Sequence, residues 1–452
     1  MTRLLLTLLA AGLTVLAYPP FHWHPLAAVS LIPLIFAIHG TNPGRGLGLG
    51  LLYGLLIFAG TLNWLATIFG PMANLLFLML ALFPGFFAAS YCTLQQNLKD
   101  HRWLPWMAGI LWVGVEYFRS EWFTLRFPWI TPGTGLPPGY LTPVIGVYGM
   151  SLLVAVASVA IVTRHHRTAL ALFAVILSAS YLPQNRPEEG ALSIAAIQGE
   201  GIGVDEYLRL SNETEGPIDA FVWPEHSVTY DIRTKPALME AIHQLLVEKK
   251  ASSLTLGSRT EHDDGTWSNT AVTIGLNGVL GTHDKNRPVH FFDDGEPARH
   301  VGVFDSPLGM LSTPICFDND YATIARSAVA NGAELLLVPS MDAAHWTARQ
   351  HLQHAEFVRH RAAENGRWVA VSSSSGMTQT VAPNGDRIAQ LPLFDPGVLV
   401  SKVSPQTHRT LYNRVGWLIG PSCVILAIGL IIVSSILSRR RSPNEDPSAP
   451  AR

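Results

Sequence analysis

The chain has 452 residues, 48% of them hydrophobic and only 14% charged, with a formal net charge of −2. A soluble domain carries about 25% charged residues, so this composition excludes a protein that is water-exposed on every side. The balanced charge gives no electrostatic footprint for nucleic acid, and three cysteines without a CxxC pair argue against a disulfide framework or a zinc site.

Seven apolar segments come first, at about 4–18, 25–39, 46–69, 72–94, 103–118, 143–163 and 168–182; an eighth covers about 415–438. Several fall short of the roughly 20 residues of an ideal bilayer span. They come in series, however, and carry flanking aromatics such as Trp23, Trp64, Trp103 and Trp106. No small-residue cleavage site follows the first segment, and Tyr18-Pro19-Pro20-Phe21 leads straight into the second, which argues for a span rather than a removed leader. Cys92 and Cys423 lie inside apolar runs and are expected to be small buried hydrophobes.

Charge placement sets an expected topology. With Arg3 in the cytoplasm, Arg45, Lys99, Arg102, Arg164, Arg167 and the run Arg439-Arg440-Arg441 all fall inside, and the opposite short loops hold only Arg119 and Arg126. The expected organisation is a seven-helix membrane region at 1–183, an extracytoplasmic domain at 190–408, a last span at 415–438, and a basic, disordered cytoplasmic tail at 439–452.

The stretch 190–408 has the composition of an α/β domain. Strand candidates are Ala191–Gln198, Phe221–Trp223, Ser253–Gly257, Ala271–Ile274, Glu334–Val338 and Trp368–Val371. Helix patterns fall at about 236–250, 318–331 and 348–365, with Gly366 as a C-cap. Alternating strands and helices predict sheets covered by helices.

Three chemical groups stand at predicted strand ends. Phe221-Val222-Trp223-Pro224-Glu225 ends on a carboxylate, Gly281-Thr282-His283-Asp284-Lys285 on an amine, and Leu311-Ser312-Thr313-Pro314-Ile315-Cys316 on a thiol. A thiolate is a strong nucleophile, a carboxylate can take its proton, and an ammonium can hold a developing oxyanion. These are the parts of covalent acyl transfer. Taken singly, Cys316 reads as a core thiol, Glu225 as a turn cap and Lys285 as a surface charge; a carboxylate ending an apolar strand is nonetheless costly unless paired.

With these blocks in order, and with Arg361-Ala362-Ala363-Glu364-Asn365-Gly366-Arg367 and Ser375-Gly376 after them, the domain resembles the nitrilase (carbon–nitrogen hydrolase) superfamily. That resemblance implies an αββα sandwich with a Glu225, Lys285, Cys316 triad. The membrane part is similar to the apolipoprotein N-acyltransferases at Gly60-Thr61-Leu62-Asn63-Trp64, Glu116-Tyr117-Phe118-Arg119, Phe127-Pro128-Trp129-Ile130 and Gly146-Val147-Tyr148-Gly149. Pro392-Leu393-Phe394-Asp395-Pro396-Gly397 and Thr410-Leu411-Tyr412-Asn413-Arg414-Val415-Gly416 are similar to that family's junction with its last span, so the likeness runs from residue 1 to about 437.

The resemblance implies a fold of about eight transmembrane helices with the sandwich on the periplasmic face of a bacterial inner membrane. It implies a fatty acyl group moved from phospholipid, through a Cys316 thioester, to the amino-terminal amine of a diacylglyceryl-cysteine lipoprotein. No cofactor or metal and a monomeric state are expected. Two other classes stay open: a membrane-anchored amidase using the same triad, and an inactive binding scaffold.

The chain departs from the family at several points. After the lysine the family runs into Val-Pro-Phe-Gly-Glu, where this chain has Val289-His290-Phe291-Phe292-Asp293-Asp294-Gly295-Glu296. Asp293 keeps the family glutamate's distance from the lysine and Glu296 keeps the Gly-Glu pair, so either is a candidate second acid. Phe317-Asp318 replaces Tyr-Glu, and Pro339-Ser340-Met341-Asp342 keeps only the Asp and the later Trp346. Arg119 and Arg126 are expected either to hold lipid phosphate or to pack against the domain. Trp122, Phe123, Phe127 and Trp129 read as interfacial anchors, with a lipid path as the alternative. His345, His351, His354 and His360 read as structural or surface residues, because no acidic pattern beside them supports a metal site.

Overall fold

The computed structural model describes residues 1–98, 101–185, 188 and 190–441; Lys99 and the tail beyond residue 441 lie outside the described residues. Each of the eight apolar segments is helical. Among the described residues four helices are long and apolar enough to cross a membrane: Pro43–Thr61, Leu65–Asn97, Thr142–Val162 and Gly416–Leu437. Thr2–Ala17 and His24–Ile38 are shorter apolar helices. Leu104–Tyr117 and His166–Tyr181 have 14 and 16 residues.

The third segment differs from its expected extent. Helix Pro43–Thr61 stops at Leu62, and Leu65–Phe69 belongs instead to the path into helix Ala73–Asn97. The break lies where the α/β domain docks. Gln353 Nε2 takes the Thr61 carbonyl at 2.9 Å and Arg349 Nη1 the Gly60 carbonyl at 2.8 Å, so the carbonyls freed by the break are bonded.

Helices Pro43–Thr61 and Ala73–Asn97 approach closely because the first carries glycine on the shared face. A Cβ at Gly50 would stand 2.5 Å from the Pro84 carbonyl oxygen, and one at Gly54 2.7 Å from the Ala81 Cα. Small residues of this kind allow packing where no water drives association. On the outer side, Leu75, Leu78, Leu82 and Phe86 are exposed, as are Ile425, Ile428, Ile432 and Val433 of the last helix. Apolar exposure on this scale fits a lipid-facing surface.

The domain contains eleven strands: β1 (Leu192–Gln198), β2 (Ala220–Val222), β3 (Ser253–Glu261), β4 (Trp267–Gly275), β5 (Gly278–Asp284), β6 (Leu311–Ser312), β7 (Leu335–Ser340), β8 (Val369–Ser373), β9 (Gln379–Val381), β10 (Arg387–Gln390) and β11 (Gly397–Val403). One sheet has the order β11-β1-β2-β3-β4-β5 and the other β10-β9-β8-β7-β6. Side chains alternate between faces as the pleat requires. Ile194, Val222, Leu335 and Leu337 fill the space between the sheets. Phe221 and Leu254 pack outward against Ile242 and Leu246 of helix Pro236–Lys249. Leu336 and Val338 pack outward against Val358 and Ala362 of helix Ala348–Asn365. The layers are therefore αββα.

The domain is seated on the membrane helices by polar contacts as well as apolar ones. Glu121, buried, accepts from the Ala322 backbone N–H at 3.1 Å and the Thr323 hydroxyl at 2.9 Å, at the start of helix Ala322–Ala330. Glu364 accepts from the Val147 N–H at 2.9 Å, next to a break in the opposing helix where Gly146 has φ 63°. These bonds join segments far apart in sequence, so domain and bundle form one surface around the site described next.

Candidate active site

The three sequence-selected groups converge. Glu225 follows β2, Lys285 follows β5 directly, and Cys316 opens a short turn, Cys316–Asp320, after β6. Lys285 Nζ lies 2.7 Å from Glu225 Oε1, and both side chains are 2% exposed. The Glu225 loop reaches in over β3 because position 257 is glycine: a Cβ there would sit 2.5 Å from the Glu225 Cα.

The second acid on Lys285 is neither of the two expected. Asp294 Oδ2 lies 2.7 Å from Nζ. Asp293 is exposed and accepts from Trp267 Nε1 at 3.2 Å, and Glu296 is exposed. Three acids in four residues differ only in where the turn through Gly295, at φ 78°, points them. Val289 N–H donates to Asp294 Oδ2 at 2.7 Å and fixes it inward.

Asn269, on β4, was not anticipated. Its Nδ2 donates to Glu225 Oε1 and to Asp294 Oδ1, each at 2.7 Å, so one amide orients both carboxylates. The strand expected here, Ala271–Ile274, begins two residues after it, and the observed strand takes it in because β4 starts at Trp267. His226 stands 3.9 Å from Glu225 and 3.8 Å from Asp294. Glu225, His226 and Asp294 have the makings of a metal-ligand group, but the cation between the two carboxylates is the Lys285 ammonium.

Burial opposes the charge on Lys285, but Glu225 and Asp294 outweigh it and hold the amine well above its usual range. Burial likewise pushes Asp294 up, and Lys285, with the Val289 and Asn269 N–H donors, overcomes it, so its carboxyl stays below the usual value. Burial, then the Glu225 charge, push the Cys316 thiol well above its ordinary value, against the pull of Lys285. The resting site is an ion cluster beside a neutral thiol.

Cys316 has φ 46°, in the left-handed region that costs a non-glycine residue about 1–3 kcal/mol. The surroundings hold that conformation. Asp318, fully buried, accepts from Ile315 N–H at 3.1 Å, Arg287 N–H at 2.8 Å and His283 Nε2 at 3.1 Å. It thereby ties the turn bearing the thiol to the strand end bearing the lysine. The thiol donates to the Met341 carbonyl at 3.3 Å.

On its other side the thiol opens into a cavity lined by both parts of the chain. The membrane part supplies Trp64, Phe69, Leu76 and Met79, and the domain supplies Phe292 and Trp346. Phe292 packs against both Phe69 and Trp346, with ring centroids 5.7 Å apart in each pair. The lining is overwhelmingly apolar, as in sites that bury a hydrophobic ligand.

The remaining selected residues take separate places. Trp129 is not an interfacial anchor: it is 2% exposed, packs on Trp64 at 5.0 Å, and lines the cavity. Arg119 is buried and donates to the Trp129 carbonyl at 2.9 Å, which sets that loop. Arg126 lies on the cavity wall. Asp342 accepts from Gln350 at 2.9 Å and from His354 at 2.8 Å, and His351 is buried against the Ala343 carbonyl at 3.1 Å.

The chain is similar in sequence to known proteins. The family model for the apolipoprotein N-acyltransferase N-terminal domain matches residues 10–160, and that for carbon–nitrogen hydrolases matches residues 203–412. The apolipoprotein N-acyltransferase of Geobacter metallireducens is 26% identical over 97% of this chain and 96% of its own. That of Pseudomonas paraeruginosa is 28% identical over 98% of this chain and 97% of its own. A solved Nesterenkonia amidase of the nitrilase superfamily is 19% identical over 50% of this chain and 95% of its own, with a TM-score of 0.42. Two family models in order, and relatives matched nearly end to end, place the chain in the apolipoprotein N-acyltransferase family, enzymes of the carbon–nitrogen hydrolase superfamily.

Proposed function

We propose that this chain moves a fatty acyl group from a phospholipid, through a thioester on Cys316, to the amino-terminal amine of a diacylglyceryl-cysteine lipoprotein precursor. One observation carries the reading: a single thiol stands between a buried carboxylate–ammonium cluster and an apolar cavity walled in part by membrane helices. A water-soluble substrate has no need of such a wall. The relatives' shared name supplies the acceptor.

In the first step a Glu225 carboxylate oxygen takes the Cys316 proton, and the thiolate attacks the ester carbonyl. Both bonds from Lys285 and Asn269 fall on Glu225 Oε1, so Oε2 is the oxygen left for the proton. An ammonium has three N–H groups. Lys285 gives two to Glu225 and Asp294, and the third is directed to the oxyanion. Collapse expels the lysophospholipid oxygen, which recovers the proton from Glu225. In the second step the acceptor amine attacks the thioester, Glu225 takes its proton, and the Cys316 thiol is restored. Asp294 keeps Lys285 charged and fixed throughout.

The topology belongs to the same proposal. Eight crossings, with Arg3 and the chain end inside, put residues 190–408 on the outer face of the inner membrane, where lipoprotein amines are presented. A reporter fused near residue 405 is then active only in its exported form; the reverse result changes the parity of the spans.

The decisive experiment loads the full-length enzyme with labelled phospholipid and then adds a diacylglyceryl-cysteine peptide. The label should first appear as a hydroxylamine-sensitive adduct on Cys316 and then move to the peptide amine, with ping-pong kinetics. Label released mainly as free fatty acid, at a rate indifferent to peptide, would make the protein a hydrolase.

A further inference from the structure

The wall of the cavity carries a second buried ion cluster that the transfer chemistry above does not use. His354, in helix Ala348–Asn365, is 5% exposed. Its Nδ1 lies 2.8 Å from Asp342 Oδ1, and its Nε2 lies 3.3 Å from Asp320 Oδ1. Trp129 stacks on the imidazole, with ring centroids 6.3 Å apart and planes at 12°, and its Nε1 donates to Asp320 Oδ2 at 2.5 Å.

Both carboxylates belong to the frame of the thiol. Asp320 closes the turn that Cys316 opens. Asp342 directly follows Met341, whose carbonyl accepts the Cys316 S–H, and Asp342, His354 and Cys316 line the same cavity. A carboxylate beside a thiol opposes thiolate formation unless a cation offsets it. Lys285 acts on the thiol from the sheet side, where Glu225 and Asp294 hold two of its N–H groups, whereas the cation paired with Asp342 is His354.

We propose that His354 is a positioning residue for the nucleophile: its imidazolium offsets Asp342 beside the thiol and, by gripping Asp320, fixes the turn that Cys316 opens against the membrane-side Trp129.

Burial opposes charge on the imidazole, but Asp342 and Asp320 hold it well above its ordinary value, so it is cationic at neutral pH. Burial opposes ionisation of Asp342 too; His354 overcomes it and holds the carboxyl at about 2. Asp320 goes the other way, pushed up by burial, which makes Asp342 the firm negative partner. The charged and titratable groups facing this cluster are few. Asp342 and Asp320 face the imidazole, and His351 faces Asp342. Glu225, Lys285 and Asp342 face the thiol.

The inference rests on Cys316 being the nucleophile, and its test does not need acyl transfer. The detergent-solubilised full chain is alkylated with N-ethylmaleimide from pH 6 to 9, and labelling at Cys316 is timed by peptide mass. His354→Gln leaves Asp342 without its cation and should slow alkylation about tenfold at each pH, because thiolate is scarcer. Asp342→Asn removes the opposing charge and should speed it several-fold. The double variant His354→Gln/Asp342→Asn should return to within about threefold of the unsubstituted enzyme. A packing role predicts the contrary, with all three variants slower or unchanged and the double variant worst; that pattern would overturn the proposal. If His354→Gln does not fold, the rise in Asp342→Asn still decides it. An enzyme that alkylates with these signs but takes no acyl group from phospholipid would sink the transferase reading and leave this one standing.

Discussion

On the sheet side of Cys316, charged groups are buried and specifically partnered: Lys285 between Glu225 and Asp294, Asn269 across both carboxylates. On the membrane side the same thiol faces Trp64, Phe69, Met79 and Phe292. Directional bonds in a dry site stake several kcal/mol on each partner, because an orphaned buried charge has nowhere to turn. Apolar contact is non-directional and scales with area, so losses there are graded. The sheet side should therefore govern whether reaction occurs, and the membrane side which chain reacts.

The sharpest way to break that division is on the charged half. Cys316→Ala should remove the acyl adduct completely while the protein still inserts in membranes. Lys285→Ala should slow acylation roughly 10²–10³-fold, the scale of losing one oxyanion donor. Lys285→Arg should recover little of it, because a planar guanidinium does not replace a compact ammonium between two carboxylates 2.7 Å away. Single-turnover transfer from labelled phospholipid measures all three; near-normal acylation by Lys285→Ala would remove the lysine from the chemistry.

A smaller effect separates the three neighbouring acids. Asp294→Asn keeps the shape but takes one negative charge from Lys285, and acylation should fall about tenfold, one pKa unit's worth of interaction. Asp293→Asn and Glu296→Gln should stay within about twofold, since the first holds only Trp267 at the surface and the second is exposed. Equal effects from all three would mean that the loop, not the charge, matters.

The acids also show where sequence reading stops. Glu225 and Cys316 were legible because each ends an apolar run, and Lys285 because it stands between them in the order that the family resemblance implies. The apolar helices, three helices of the domain and the central strands of both sheets were legible from periodicity, whereas helix Val204–Glu213 was not. The second acid was not, because residues 293–296 lie in a loop whose path is set by Gly295 and the Val289 N–H rather than by any period. Short β6, β9 and β10 give too few residues for alternation to show. Trp129 read as an interfacial anchor because its neighbours in sequence are aromatic; its neighbours in space, His354 and Phe357, lie more than two hundred residues away. His354 seemed to lack acidic partners for the same reason, as Asp320 and Asp342 reach it from other elements.

The apolar half should respond by changing preference rather than by losing function. Met79→Trp adds bulk to the cavity wall from the membrane side. Long acyl donors should lose about tenfold in kcat/KM through overpacking worth roughly 1–2 kcal/mol, while short-chain donors lose less. Phe292→Ala opens the contact with Phe69 and Trp346 and should raise KM a few-fold with kcat nearly unchanged. A uniform fall in kcat for every chain length would mean that this wall positions the ester rather than the tail.

The smallest expected effect tests whether burial alone explains an inert cysteine. Cys92, Cys316 and Cys423 are all buried, at 0, 5 and 4% exposure. Only Cys316 borders the large cavity and has an ammonium in its surroundings. Cys92 instead lies between helices, its sulfur 3.3 Å from the Ile38 carbonyl and 3.2 Å from the Thr41 hydroxyl, with Gly46 making room for it. Replacing it with alanine removes one polarizable atom and a weak donor, so stability should fall by about 1 kcal/mol and transfer by less than twofold. Cys423→Ala should behave alike, since Cys423, in the last helix, packs its backbone on Gly114 of helix Leu104–Tyr117. A lipid-like maleimide should therefore label unsubstituted protein, Cys92→Ala and Cys423→Ala at equal rates, and Cys316→Ala not at all. Labelling shared evenly among the three thiols would show that access through the bilayer, not the cavity and its charges, decides which sulfur reacts.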